Sequence, residues 1–175
     1  MNRRLQAGVF LMVAAVAGLA GYYFNRARLS SPATEAAAEK LMQASLTDLS
    51  GKRQTLSQRR GKILVVNFWA TWCLPCREEI PALKKIQTKH AANGVEVVGI
   101  AIDNVAKVLD YAAEMSINYG LLIGGAEILA TSRELGNLAE VLPFTVILDR
   151  AGKVAYTHVG VLTEGALDSV LLPLL

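Results

Sequence analysis

The chain has 175 residues, which is enough for one domain of ordinary size. Hydrophobic residues make up 53% of it and charged residues 19%, a balance that excludes an intrinsically disordered protein. The formal net charge is +3, but four of the 18 basic residues precede the first acidic one: Arg3, Arg4, Arg26 and Arg28. Setting these four apart leaves 14 basic residues against 15 acidic ones. The charge pattern therefore gives no sign of a nucleic-acid-binding surface, and no nucleic-acid partner is expected.

The first element in chain order is an apolar run over residues 7–24 that contains no charged side chain. As a helix it would be roughly 27 Å long, close to the hydrocarbon thickness of a bilayer. Tyr22 and Tyr23 lie at its end, where aromatic rings favour the headgroup region. These features predict a transmembrane signal anchor that holds the chain in the lipid bilayer. A cleaved signal peptide, cut near Gly18-Leu19-Ala20, is the alternative, and a buried core helix is a more remote one.

The arginines on the two sides of this run nearly balance, so orientation depends on the N-terminal amine, which favours the cytoplasm. Residues 1–6 are then cytoplasmic, and the rest of the chain lies on the extracytoplasmic, periplasmic side of the inner membrane. Residues 25–40 are small and polar and predict a tether. The folded domain is expected at residues 41–175.

The folded domain begins with a β-hairpin over residues 46–55, centred on the Ser50-Gly51 turn. Short apolar runs predict strands and longer periodic segments predict helices. In chain order these are a strand at 63–68, a helix at 74–92, a strand at 95–102, a helix at 105–115, a strand at 119–123, a helix at 127–135, strands at 144–148 and 154–159, and a helix at 163–172. Helices alternating with strands, followed by a late hairpin, predict an α/β fold with a central mixed sheet flanked by helices. In the helix at 105–115, Val108, Leu109 and Ala112 are expected to face the core.

The two cysteines of the chain, Cys73 and Cys76, lie between a predicted strand and the helix that follows it. Two cysteines three positions apart cannot supply the disulfide framework of a small secreted domain, so any role is local. At a helix N-terminus, unpaired N–H groups and the helix dipole stabilise a thiolate and lower its pKa. Cys73 is therefore predicted to be the reactive thiol and Cys76, one turn further in, the more buried one. Pro75 fits the first helical turn, where no N–H is needed.

Three other roles are compatible with a cysteine pair, and each fits less well. A zinc site needs at least three protein ligands, and His90 and His158 are too far apart in sequence to complete one, so no metal is expected. A purely structural disulfide across so short a loop constrains the unfolded chain little. A peroxide-reducing thiol protein usually has its threonine three residues before the cysteine, whereas Thr71 is two before Cys73. Dithiol–disulfide exchange is therefore favoured.

Residues 67–81, with the sequence NFWATWCLPCREEIP, resemble the active-site segment of thioredoxin-fold proteins. More narrowly, the chain resembles the membrane-anchored TlpA/ResA/DsbE-like group of thiol–disulfide oxidoreductases, of the cytochrome c biogenesis type. The likeness covers residues 41–175, including the insert at 105–123 and Leu142-Pro143 before a strand. It implies a thioredoxin-like fold with an N-terminal β-hairpin extension.

The resemblance also implies roles for residues outside the cysteine pair. Asn67 stands where thioredoxin has a buried acid, whereas Glu79 lies three residues after Cys76, as in the TlpA-like group. That spacing places Glu79 on the same helix face as Cys76, where it would take the proton from Cys76. The bond between Leu142 and Pro143 is expected to be cis, and the backbone there to bind an extended client segment.

Two tryptophans flank the cysteine pair. Trp69 is expected to pack in the core. Trp72 is expected at the rim, covering Cys73 and touching the client.

Together these expectations describe an extracytoplasmic oxidoreductase whose Cys73–Cys76 pair reduces disulfides of client proteins. The resemblance implies clients in cytochrome c maturation or metal-site assembly, a membrane electron donor, and no metal or organic cofactor. A disulfide-donating oxidant for protein folding is the first alternative, since the same residues serve both directions. A non-catalytic module that binds clients through the same groove is the second.

Overall fold

A computed structural model of the chain describes residues 9–14, 16–18, 20–21 and 31–175. Of the predicted anchor at residues 7–24, residues 9–14, 16–18 and 20–21 are helical, and the other residues of that segment lie outside the described part. Within the described part of the chain, no helix is both long and apolar enough to cross a bilayer. The anchor therefore remains a prediction.

The first complete helix, α1, covers Pro32–Gln43 and begins after Ser31, whose side chain accepts a hydrogen bond from the Thr34 N–H. Its buried side chains pack in the core: Ala37, Ala38, Leu41 and Met42. Residues 32–40, predicted as part of the tether, thus belong to a helix that packs in the core and begins nine residues before the predicted start of the folded domain at residue 41. The short alanine-rich segment has the composition of a linker, yet alanine is the strongest helix former.

Seven strands and five helices follow the chain order within residues 31–175. The strands are β1 (Leu46–Asp48), β2 (Arg53–Gln54), β3 (Ile63–Trp69), β4 (Val95–Ala101), β5 (Gly120–Ile123), β6 (Phe144–Leu148) and β7 (Val154–Val159). The helices after α1 are α2 (Leu74–His90), α3 (Val105–Glu114), α4 (Ala126–Glu134) and α5 (Glu164–Leu171). Short 3₁₀ turns lie at Leu56–Arg59, Ala91–Asn93 and Leu172–Leu174. Each strand and helix predicted for residues 63–172 is present, with ends within two residues of those expected.

The seven strands that the structure describes form one mixed sheet in the order β2-β1-β5-β4-β3-β6-β7. Strands β3, β4 and β5 are parallel, whereas β6 runs antiparallel to β3 and β7 antiparallel to β6. The predicted hairpin of β1 and β2 extends the other edge, where β1 pairs antiparallel with β5. This is the mixed sheet expected of a thioredoxin-like α/β fold.

Helices cover both faces of the sheet, and each face has its own hydrophobic core. One core packs α2, α3 and α5 against the sheet, and the other packs α1 and α4. Side chains of β3 alternate between the two, so Val65 and Trp69 face α2 while Val66 and Phe68 face the opposite layer. Asn67 lies between Val66 and Phe68 and therefore points to the α2 side.

One predicted core position in α3 is wrong. Val108 is fully buried and Ala112 is partly buried, but Leu109 is exposed. Tyr111 is buried in its place, packed against Trp69 with 6.0 Å between ring centroids. The apolar stripe of an amphipathic helix is wider than the face it buries, so hydrophobicity alone does not choose between neighbouring positions.

Candidate active site

The cysteine pair lies at the carboxyl end of β3, where the chain turns into α2. Cys73 is the N-cap of α2 and is held in the turn by a hydrogen bond from its N–H to the Ala70 carbonyl (3.2 Å). Cys73 and Cys76 form a disulfide, with 5.3 Å between their Cα atoms. Pro75 occupies the first turn of α2, as predicted. The strand-to-helix junction thus places both sulfurs on one side of the first helical turn.

The two sulfurs differ in access and in polar contacts. Cys73 is 5% exposed and Cys76 is 0% exposed, so Cys73 is the more accessible of the two. The Cys76 N–H donates to the Cys73 sulfur at 3.3 Å, in the manner of a helix cap. A donor in that position stabilises negative charge on Cys73 when the bond is reduced. The role of Cys73 as the attacking thiol stays a prediction.

Glu79 is buried in α2, one turn after Cys76, and is only 1% exposed. Its Oε1 accepts a hydrogen bond from the Asn67 amide (2.6 Å), and its Oε2 accepts one from the Leu162 N–H (3.2 Å). Burial raises the pKa of this carboxyl to about 7, although both hydrogen bonds act to lower it. Near neutral pH the side chain can therefore take up or release a proton. Its neighbour Glu78 is exposed, as expected for an ordinary surface residue.

The loop before β6 contains the other predicted site residues, Leu142 and Pro143. The peptide bond between Leu142 and Pro143 is cis, as the resemblance implies. The Pro143 carbonyl accepts a hydrogen bond from the Gly160 N–H (2.9 Å), which fixes the loop to the end of β7. Strand β6 runs antiparallel to β3, and Phe144 at its start lies opposite Phe68 near the end of β3. The loop before β6 and the cysteine turn after β3 therefore lie at the same end of these two strands.

Both tryptophans occupy the environments predicted for them. Trp69 is fully buried, whereas Trp72 is 66% exposed beside the cysteine pair. Trp72 is thus available for contact with another molecule.

Similarity to known proteins identifies the family of this chain. The Redoxin family model matches residues 33–171, most of the chain. The chain belongs to the Redoxin family. The thioredoxin-like protein YneN of Bacillus subtilis is 34% identical over 131 residues, covering 73% of this chain and 74% of YneN. The thiol-disulfide oxidoreductase ResA of Bacillus cereus is 31% identical over 133 residues, covering 72% of this chain and 71% of ResA.

Solved structures agree with these relatives. A thiol:disulfide interchange protein of the thioredoxin family from Chlorobium tepidum aligns with a TM-score of 0.66 and 27% identity, covering 75% of this chain and 94% of that one. A secreted thiol-disulfide isomerase from Corynebacterium glutamicum aligns with a TM-score of 0.68 and 26% identity, covering 75% and 82%. This Redoxin-family protein is therefore a thioredoxin-fold protein-disulfide oxidoreductase of the TlpA/ResA/DsbE-like group, which confirms the resemblance.

Some residues that shape the site of this Redoxin-family protein were not predicted from the sequence. Asp103, just after β4, accepts hydrogen bonds from the N–H (3.0 Å) and the hydroxyl of Thr71 and so holds the turn before Cys73. Partial burial opposes ionisation of Asp103, but hydrogen bonds from Thr71 and Asn104 keep its pKa below the ordinary value. A carboxylate at the carboxyl end of a parallel strand was the available signal, since those strand ends meet at one edge.

A second missed contact joins α2 to α3 beside the pair. Arg77 donates through Nε to the Tyr111 hydroxyl (2.9 Å), and its guanidinium lies 4.9 Å from the centroid of that ring. Nothing in the sequence pattern links these two positions, because they are 34 residues apart.

The two histidines have partners other than the cysteine pair. His90 lies at the far end of α2, where its Nε2 is 2.7 Å from Asp168 Oδ1. His158 stacks on Tyr156 in β7, with 6.2 Å between ring centroids. Within the described residues, no three metal-binding side chains lie together.

Proposed function

We propose that the Cys73–Cys76 pair works as a reductant of client disulfides, with Glu79 as the proton acceptor. The observation that carries this direction is the buried carboxyl of Glu79, one turn from Cys76. A carboxylate nearby disfavours thiolates and so destabilises the reduced pair, while the uncharged disulfide is unaffected. The pair then gives up its electrons readily.

In the proposed reaction, the Cys73 thiolate attacks one sulfur of the client disulfide. A Cys73–client mixed disulfide forms, and the other client sulfur leaves as a thiolate. Glu79 takes the proton from Cys76, whose sulfur then attacks Cys73 and breaks the bond to the client. The client has gained two electrons, and the enzyme holds the Cys73–Cys76 disulfide. A membrane electron donor would return the enzyme to the dithiol state.

We further propose that Trp72, Leu142 and Pro143 bind the client segment next to its disulfide. Trp72 and Val141 present exposed apolar surface, and Leu142 is partly exposed. The backbone before Pro143 lies at the edge of the site, where an extended segment can pair with it. The resemblance to the cytochrome c biogenesis type supports clients in cytochrome c maturation or metal-site assembly.

One observation favours the opposite direction. The Cys76 N–H bonded to the Cys73 sulfur, together with the N-terminus of α2, stabilises a thiolate and hence the reduced pair. A protein dominated by that effect would donate its disulfide to folding clients. The two directions differ in the reduction potential alone.

The potential of the Cys73–Cys76 pair, equilibrated against glutathione at pH 7, tests the direction. We expect a value below that of thioredoxin, about −270 mV. We expect Glu79→Gln to raise the potential, since it removes the negative charge, while the exposed control Glu78→Gln leaves it unchanged. A value near −120 mV would establish the oxidant instead.

We also propose that residues 7–24 anchor the protein in the inner membrane, with residues 1–6 in the cytoplasm and the catalytic domain outside it. The uncharged apolar run and its flanking arginines support this placement. We expect the protein to stay in the membrane pellet after washing with alkaline carbonate. Release into the supernatant would contradict the anchor and favour cleavage near Gly18-Leu19-Ala20.

A further inference from the structure

Asn67 is a buried polar residue in β3, a strand whose other side chains are apolar and buried. Its neighbours on the same face, Val65 and Trp69, belong to the core between the sheet and α2. A polar side chain at such a position is destabilising unless it is hydrogen-bonded. Its partners therefore indicate why an amide occupies this place.

The two N–H groups of the Asn67 amide have separate partners. Nδ2 donates to Glu79 Oε1 at 2.6 Å and to Thr145 Oγ1 at 3.1 Å. Thr145 is fully buried and is the direct partner of Asn67 in the pairing of β3 with β6. The amide is therefore fixed between the sheet and α2, with one donor directed at the carboxyl of Glu79.

Donors hold both carboxyl oxygens of Glu79. Oε1 is held by Asn67, and Oε2 is held by the Leu162 N–H at 3.2 Å. We propose that Asn67 is the positioning residue of the reaction, holding the Glu79 carboxylate in place to accept the proton of Cys76. This role rests on the proposed function of Glu79 as proton acceptor.

Charge supports the same assignment. Burial raises the pKa of Glu79, and the Asn67 hydrogen bond is the largest of the effects that lower it again. Without the Asn67 amide, the Leu162 N–H would be the one remaining hydrogen-bond donor of this pair that lowers the pKa of Glu79 against the effect of burial. The carboxyl would then be mostly protonated at neutral pH, and fewer molecules could accept the proton of Cys76.

Asn67→Ala tests this assignment in the full-length protein. The first readout is the rate at which Cys76 releases a labelled peptide from its mixed disulfide, measured against pH. We expect the midpoint of this profile to rise by about one pH unit, with a roughly fivefold slower release at pH 7. The second readout is a carboxyl-carbon NMR titration of Glu79 in the reduced protein, which should show the same upward shift.

Two control variants separate positioning from packing. Val65→Ala removes core volume from the same face of β3, so it should lower stability and leave the pH midpoint unchanged. Asn67→Asp keeps the size of the side chain but replaces the amide donor with a second carboxyl beside Glu79, and both changes should raise the pKa of Glu79. This variant supplies the test if Asn67→Ala fails to fold.

The two readouts also separate this inference from the proposed function. If the Glu79 titration shifts in Asn67→Ala while Glu79→Gln leaves the release profile unchanged, Asn67 positions the carboxyl but Glu79 is not the proton acceptor. If the titration of Glu79 is unmoved in both Asn67 variants, the assignment of Asn67 is overturned. A midpoint that moves equally in Val65→Ala would overturn it as well.

Discussion

Replacing Cys76 with alanine is expected to stop turnover and to leave the client covalently attached to Cys73. Cys73 keeps its place at the N-terminus of α2 and can still attack a client disulfide. The mixed disulfide then has no internal thiol to resolve it, because these two are the only cysteines of the chain. Non-reducing electrophoresis and intact-mass measurement should show the protein–client adduct, and repeated reduction of a peptide disulfide should be lost.

Cys73→Ala is the matched control for this experiment. It should also abolish turnover, but it should form little adduct, because the remaining Cys76 is fully buried. An adduct formed on Cys76 as readily as on Cys73 would contradict the assigned order of attack. Clients that bind Cys73→Ala with undiminished affinity would show that the groove around Trp72 and Leu142 recognises them without the thiol.

The cysteine pair and the elements around it could be predicted because their signals are local. A continuous apolar run predicts β3, and the change to helical periodicity places Cys73 at the helix start. In α1 the local signal was misleading, since an alanine-rich polar segment is typical of both a linker and a helix. Its burial depends on contacts with the sheet and α4, which sequence spacing does not reveal.

The surroundings of Glu79 could be predicted only in part. Its spacing from Cys76 predicts a shared helix face, but its hydrogen-bond donors come from distant parts of the chain. Asn67 is 12 residues away in sequence and Leu162 is 83 residues away. These contacts depend on the pairing of β3 with β6 and on the path of the chain after β7. The raised pKa of the carboxyl, which follows from its burial, was accordingly not evident from the sequence.

The elevated pKa of Glu79 leads to the second large effect, that of Glu79→Gln on the pH dependence of client release. In the wild-type protein, release should rise through about pH 7 as the carboxyl ionises and becomes able to accept the Cys76 proton. Glutamine cannot accept it, so release should instead follow ionisation of the thiol itself, for which the ordinary pKa of a cysteine is about 8.5. At pH 7 we expect client release from Glu79→Gln to be slower than from the wild type by a factor on the order of 100, and this difference should become smaller as the pH rises. Glu78→Gln should keep the wild-type profile, and an unchanged profile in Glu79→Gln would exclude the carboxyl as proton acceptor.

Glu79→Gln should also change how the free energy of unfolding depends on pH. The pKa of Glu79 is about 7 in the folded protein against an ordinary value of 4.5, so the folded state holds the proton more tightly. The stability that this protonated carboxyl provides is fully present below about pH 4.5 and is lost as the pH rises to about 7. Urea unfolding of the oxidised protein should therefore show wild type losing stability relative to Glu79→Gln across that interval. A difference that does not depend on pH would mean that Glu79 titrates as an ordinary carboxyl, and the proton acceptor of Cys76 would have to be sought elsewhere.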